Sequence, residues 1–372
     1  MTRPIPTLML DIAGYVLDDE DKALLKNPHT AGVILFKRNV DTPEQVRHLT
    51  DAMRAENAGL IIAADQEGGR VARLREGFSP LPAMGRLGQL YEQDKETAFA
   101  RAYDAGYVMA AEVLAVGIDI SFAPVLDIDN GSLVIGDRAF HKNPDIAAVL
   151  SAAFIRGMNA VGMGATGKHF PGHGSVVPDS HVADACDERD FEKIWATDTA
   201  VFVENLDKLS ALMPAHVVFS KVDDKPAGFS KIWLQDILRQ KLGFEGVLFS
   251  DDLSMKAAHV AGGAGERVAA ALAAGCDVAL VCNDRAGVKA ALTYMDTHPL
   301  TYPEKNRFAA MKSTIPPWQG DLYETCQRAF PEWQACRDRL LSAFFKEISD
   351  MKKTASAAEK DPTLYQVKNP SP

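Results

Sequence analysis

The fourteen residues from Lys168 to His181, KHFPGHGSVVPDSH, gather three histidines, a lysine and an aspartate. Residues of these types can move protons near neutral pH, hold an anion or ligate a metal. Lys168 beside His169 sets a fixed cation where a divalent ion would sit, so a metal centre is not expected, and no cofactor is. Asp179 and His181, two residues apart, can form a pair in which the carboxylate fixes the imidazole tautomer and raises its basicity. Ser180 between them lacks the G-x-S-x-G elbow of a serine nucleophile and reads as a spacer. Pro171, Gly172, Gly174 and Pro178 punctuate the stretch, which predicts loop over most of it. His173 and His216 are read as structural.

Three more stretches bring chemistry: DQEGGRVAR (65–73), GDRAF (136–140) and SDDL (250–253). Each follows a short apolar run. Alternation along a strand sends Asp251 and Asp252 to opposite sides, so one of the two is expected to face a common site.

These stretches need a scaffold that brings strand ends together. Apolar runs at 7–13, 32–36, 60–64, 118–128, 162–166, 211–219, 246–250 and 277–282 read as eight buried strands. Helical patterns lie between them: Thr42-Pro43 and Asn143-Pro144 are helix starts, and a long amphipathic stretch from about Asp94 is stopped by Gly117. Strands buried on both faces and alternating with helices require a parallel sheet. Eight such units over roughly 290 residues fit a (β/α)8 barrel, whose usual length is about 250 residues. No GxGxxG follows the first strand, which removes the dinucleotide-binding alternative. The expected division is a barrel over 1–300, terminal helices packing on it over 301–353, and a poorly ordered tail over 354–372.

The motif KHFPGHG followed by D-S-H resembles the signature of glycoside hydrolase family 3, in particular its single-domain bacterial β-N-acetylhexosaminidases, and the resemblance runs from about Leu8 to Asn283. It implies a retaining β-N-acetylglucosaminidase with a covalent glycosyl–enzyme intermediate, Asp251 as nucleophile and His181, paired with Asp179, as acid/base. Asp65, Arg73, Arg138, Lys168 and His169 match the family's sugar-contacting positions, although local ion pairing is an alternative for the arginines. The implied substrate is a muropeptide fragment, N-acetylglucosamine joined to 1,6-anhydro-N-acetylmuramic acid. A phosphorylase, with phosphate in place of water, is the alternative that a histidine acid/base leaves open.

A formal net charge of −10 excludes a nucleic-acid partner as the general reading. No run is long and apolar enough for a membrane span, the N-terminus lacks a secretory pattern, and the five scattered cysteines form no CxxC pair. The expectation is a cytoplasmic monomer. The loop 171–184, rich in glycine and proline, is expected to order over bound sugar.

Overall fold

Side chains along the strands alternate between two cores, and that alternation builds the molecule. The computed structural model describes residues 5–176 and 185–345. Eight parallel strands form one sheet: β1 (Leu8–Leu10), β2 (Thr30–Leu35), β3 (Ile61–Ala64), β4 (Ile120–Ser121), β5 (Thr166–Phe170), β6 (Ala211–Pro214), β7 (Val247–Asp252) and β8 (Val278–Leu280). Their order is β4-β3-β2-β1-β8-β7-β6-β5. The remaining seam is closed by the segment after β4: Ala123 and Pro124 carbonyls accept the N–H groups of Thr166 (2.8 Å) and Lys168 (3.3 Å), and Leu126 N–H donates to Lys168 O (2.7 Å). The expected fourth strand, 118–128, is regular only over two residues. Pro124 has no N–H for a ladder, so the seam uses its carbonyl instead.

Met9, Ile61, Ala63, Val247, Phe249, Val278 and Leu280 fill the barrel interior. Their neighbours Leu8, Leu10, Ile62, Leu248 and Ala279 face the helix layer. The period of two is therefore kept on both faces of the cylinder. Phe122 and Phe249 meet edge to face at 5.1 Å, and Phe308 closes on Phe249 at 5.7 Å. With Met311, Phe308 plugs the amino-terminal end of the barrel. Part of the segment expected to supply helices packing on the barrel thus completes its interior core.

The capped helices follow their sequence signals. Thr42 accepts the N–H of Gln45 before Pro43–Glu56, Asp94 accepts that of Thr97 before Lys95–Ala115, and Asn143 opens Pro144–Ala160. Leu322–Ala329 and Trp333–Phe344 pack on the barrel's helix layer, while the tail expected to lack order lies outside the described residues. Trp333 is fully buried, and its indole N–H donates to Glu112 Oε1 at 3.2 Å. Trp333→Ala is expected to cost ~3–5 kcal/mol, the usual range for emptying a buried aromatic site. Denaturant unfolding measures it, and a loss below 1 kcal/mol would mean that the terminal helices add little to the fold.

Candidate active site

The parity that fills the barrel also aims the acids at its mouth. Asp65 and Glu67 continue the inward set of Ile61 and Ala63, and Asp251 continues that of Val247 and Phe249. All three border a cavity of about 280 Å3 at the carboxyl ends of the strands, the end where barrel enzymes place their chemistry. A larger cavity of about 520 Å3 opens at the opposite end, near Asn27, Asn57 and Phe308. Its one charged lining residue, Lys312, already donates to Ala58 O. It holds no carboxylate or histidine, so the smaller cavity is the chemical one.

Lys168 is the centre of the charged wall. Its ammonium, 3% exposed, contacts Asp65 Oδ1 at 2.9 Å and Glu67 Oε1 at 2.6 Å. Arg138 holds Glu67 through two parallel bonds of 2.8 and 2.9 Å, and Arg73 reaches Asp65 Oδ2 at 3.2 Å. Burial pushes the Glu67 carboxyl up, but Lys168 and then Arg138 outweigh it and bring its pKa to about 2. Asp65 is likewise raised by burial and by Glu67, yet Lys168 and Arg73 hold it below the usual carboxylate range. Burial lowers the Lys168 ammonium's pKa, and the two carboxylates more than restore it. Both arginines are therefore ion-paired, as the alternative for them allowed, and both remain on the cavity wall.

The depressed Glu67 pKa links to stability. A group whose carboxyl is lowered from 4.5 to about 2 contributes stability that is complete above pH 4.5 and is lost as pH falls toward 2. The share is at most about 3 kcal/mol. Glu67→Gln is expected to flatten the acid limb of a stability–pH curve between those values while lowering stability at neutral pH. An unchanged limb would mean that Glu67 is not ionised through the pair.

Lys168 and His169 were expected in a loop after a strand ending at Thr166. They lie instead inside β5. The strand's register against β6 shifts between Lys168 and Phe170, and the strand departs from strict alternation there: Lys168 and His169 both border the cavity. Loop begins after Phe170. There Gly174 passes so close that a Cβ would stand 1.8 Å from Ile128 O, which only glycine allows.

Behind the cavity, Asp127 is fully buried. It accepts the His173 N–H (2.7 Å) and the His169 N–H (3.2 Å), and its Oδ2 lies 2.7 Å from His169 Nδ1. Burial raises its carboxyl, but His169 and then His173 hold it below the ordinary range. His173, taken as structural, borders the cavity with His169, their rings 5.9 Å apart. Burial and then His169 lower its pKa, against smaller opposing pulls from Asp127 and Asp251.

Asp251 and Asp252 both border the cavity, so alternation alone does not hide either. Their hydrogen bonds separate them. Asp252 accepts from Ser254 N–H (2.9 Å), Ser254 Oγ–H (2.7 Å) and Cys282 N–H (3.1 Å), and burial raises its carboxyl. Asp251 accepts only the adjacent Asp252 N–H (2.8 Å) among the described residues. One carboxylate is tied into the scaffold and the other is left for a ligand.

Asp179 and His181 fall outside the described residues; the chain is described again from Ala185. On the near side, Ser175 is held by Asn130 (2.9 Å) and Asp198 (3.3 Å), and on the far side Arg189 pairs with Asp187 (2.6 Å) and Asp198 (2.8 Å). Glu67 and Asp127 have no role in the sequence reading, and His173, read there as structural, borders the cavity. Glu67 had a signal, since it stands two residues from Asp65 and so shares its face.

Residues 8–305 match the model of the glycosyl hydrolase family 3 N-terminal domain. A β-hexosaminidase of Pseudomonas aeruginosa is 53% identical over 300 residues, covering 80% of this chain and 89% of that protein. One from Idiomarina loihiensis is 54% identical over 299 residues, with the same coverage. Among solved structures, NagZ of Neisseria gonorrhoeae in complex with N-trifluoroacetyl-D-glucosamine superposes with a TM-score of 0.82 at 42% identity, covering 91% of this chain and 98% of that one.

Proposed function

The chain belongs to glycosyl hydrolase family 3 and is a β-N-acetylhexosaminidase, and from that premise we propose an exo-acting, retaining enzyme that removes N-acetylglucosamine from 1,6-anhydro-N-acetylmuramic acid fragments of the cell wall. The observation that carries the mechanism is the Asp251 carboxylate, which has no side-chain partner among the described residues at the cavity wall while its neighbour Asp252 is bound into the scaffold. An oxocarbenium-like transition state needs an anion beside the anomeric carbon, and a carboxylate there can go on to form the covalent glycosyl ester.

The sugar would be held by the opposite wall. Asp65 and Glu67 stay ionised as acceptors for hydroxyl groups, and Lys168, Arg73 and Arg138 supply donors beyond those spent on the ion pairs. Arg73 Nε has no partner among the described residues. That an N-acyl glucosamine occupies the related Neisseria structure supports the same ligand class here. His181, assisted by Asp179, protonates the leaving oxygen and later takes a proton from water.

No helix among the described residues is long and apolar enough to cross a membrane. The proposed setting is the cytoplasm, where imported wall fragments are met by a monomeric enzyme. Assay of N-acetyl-β-glucosaminide and β-glucoside side by side tests the reading. Turnover of the first alone, with N-acetylglucosamine released first as the β anomer, is expected. Sugar 1-phosphate formed in phosphate buffer would replace hydrolysis by phosphorolysis, and no turnover of either would overturn the reading.

His181→Ala is expected to lower turnover by roughly 10²–10⁴-fold for poor leaving groups, the usual range for a general acid, and far less for dinitrophenolate, which needs no proton. A Brønsted plot over a series of aryl glycosides measures it, and equal losses along the series would assign the histidine a positional role.

A further inference from the structure

Behind the cavity wall lies a second carboxylate–imidazole pair, Asp127 with His169 of β5. Asp127 sits just after the seam that closes the barrel, and its carboxylate reaches both the end of β5 and the first residues of the following loop. One side chain therefore governs the His169 ring, the His169 backbone and the His173 backbone. We infer that Asp127 is a positioning residue that locks the neutral His169 ring in its Nδ1–H tautomer, so that Nε2 meets the glycoside as an acceptor for one sugar hydroxyl. The inference rests on the glycosidase reading for its substrate, but the tautomer itself does not.

The argument is one of hydrogen-bond capacity. An ionised carboxylate only accepts. Two backbone N–H groups already point at Asp127, so the third approach, from His169 Nδ1 at 2.7 Å, has to be a donor. The two backbone N–H groups donating to its oxygens, from His169 and His173, favour that ionised state. With Nδ1 carrying the proton, the neutral ring has one free valence, the lone pair on Nε2. His169 borders the cavity, and its neighbour Lys168 offers only N–H donors there. The wall thus presents a cationic donor next to a neutral acceptor, a combination suited to a hydroxyl that both accepts and donates.

Asp127→Asn isolates this role because it changes no volume. The amide oxygen is expected to keep the backbone N–H of His173, which turns the NH2 toward His169 Nδ1. The ring must then accept at Nδ1 and carry its proton on Nε2, becoming a donor toward the sugar. The first measurement is long-range 15N–1H correlation of histidine-labelled protein, with the His169 signal assigned by its loss in His169→Gln. Wild type is expected to show Nδ1–H and Asp127→Asn to show Nε2–H. An Nε2–H tautomer in wild type overturns the inference without any variant, so an unfolded Asp127→Asn protein would not leave it untested.

The second measurement uses monodeoxy aryl N-acetylglucosaminides. Asp127→Asn is expected to lose roughly 10–100-fold in kcat/KM on the parent glycoside, the usual effect of leaving one buried hydrogen-bonding group mispaired. It should lose almost nothing further on the one deoxy substrate that lacks the hydroxyl read by His169. Combination with His169→Gln should be non-additive. A uniform loss across all deoxy substrates, or additive losses in the double variant, would show a merely structural carboxylate. Absence of wild-type turnover of the parent glycoside would sink the glycosidase reading, while the tautomer result would still stand or fall on its own.

Discussion

Asp251→Ala is expected to lower turnover of activated aryl N-acetylglucosaminides by on the order of 10⁴-fold or more, equivalent to about 5 kcal/mol or more of lost transition-state stabilisation. Removing this carboxylate removes both the charge opposite the oxocarbenium-like state and the atom that forms the glycosyl ester. Because Asp251 accepts only one adjacent backbone N–H among the described residues, its loss should leave the melting temperature nearly unchanged. Asp252→Ala should behave in the opposite sense. It abandons the N–H groups of Ser254 and Cys282 and the Ser254 hydroxyl, so stability falls by roughly 1–3 kcal/mol. Turnover of the folded fraction is then reduced far less than in Asp251→Ala. A dead Asp252→Ala together with an active Asp251→Ala would reverse the two roles.

Lys168→Met is the second large effect, and it acts on stability and binding together. The substitution keeps most of the side-chain length but strips the cation from between the buried Glu67 carboxylate and the partly buried Asp65 carboxylate. Arg73 and Arg138 remain, one on each acid, yet Asp65 and Glu67 then repel one another across the gap that the ammonium filled. Breaking such a buried pair typically costs ~3–5 kcal/mol. Chemical denaturation should show this loss, and kcat/KM should fall with it because the sugar-facing wall is no longer held. Adding Glu67→Gln removes one of the stranded charges, so the double variant should recover about 1–2 kcal/mol over Lys168→Met alone. A double variant less stable than Lys168→Met would place the cost in lost packing rather than in uncompensated charge.

Much of the site was legible because strand parity is a sequence property. Inward positions of a strand recur every second residue, so Asp251 shares a face with Val247 and Phe249, and Asp65, just past the end of β3, continues the side of Ile61 and Ala63. Helix caps at Thr42, Asp94 and Asn143 were legible for an equally local reason, since a cap and its N–H partner lie within three residues. Eight alternating units gave the barrel, and the motif KHFPGHG with its D-S-H gave the family that the comparison over residues 8–305 established.

What the chain alone determined, then, is what depends on near neighbours: the alternation of eight strands with helices, the helix caps, and which acids stand near strand ends. The tertiary structure decided everything that depends on pairing between distant segments. The register of β5 against β6 shifts at the same place where Lys168 and His169 both come to border the cavity, and that pairing belongs to two strands. Asp252 is tied to Cys282, thirty residues on, whose N–H donates to its carboxylate alongside the local bonds from Ser254. Asp127 joins the site across forty-two residues because the seam after β4 lies against β5. Hydrogen bonds of this reach are fixed by which strands the closed barrel makes adjacent, and adjacency is a property of the fold.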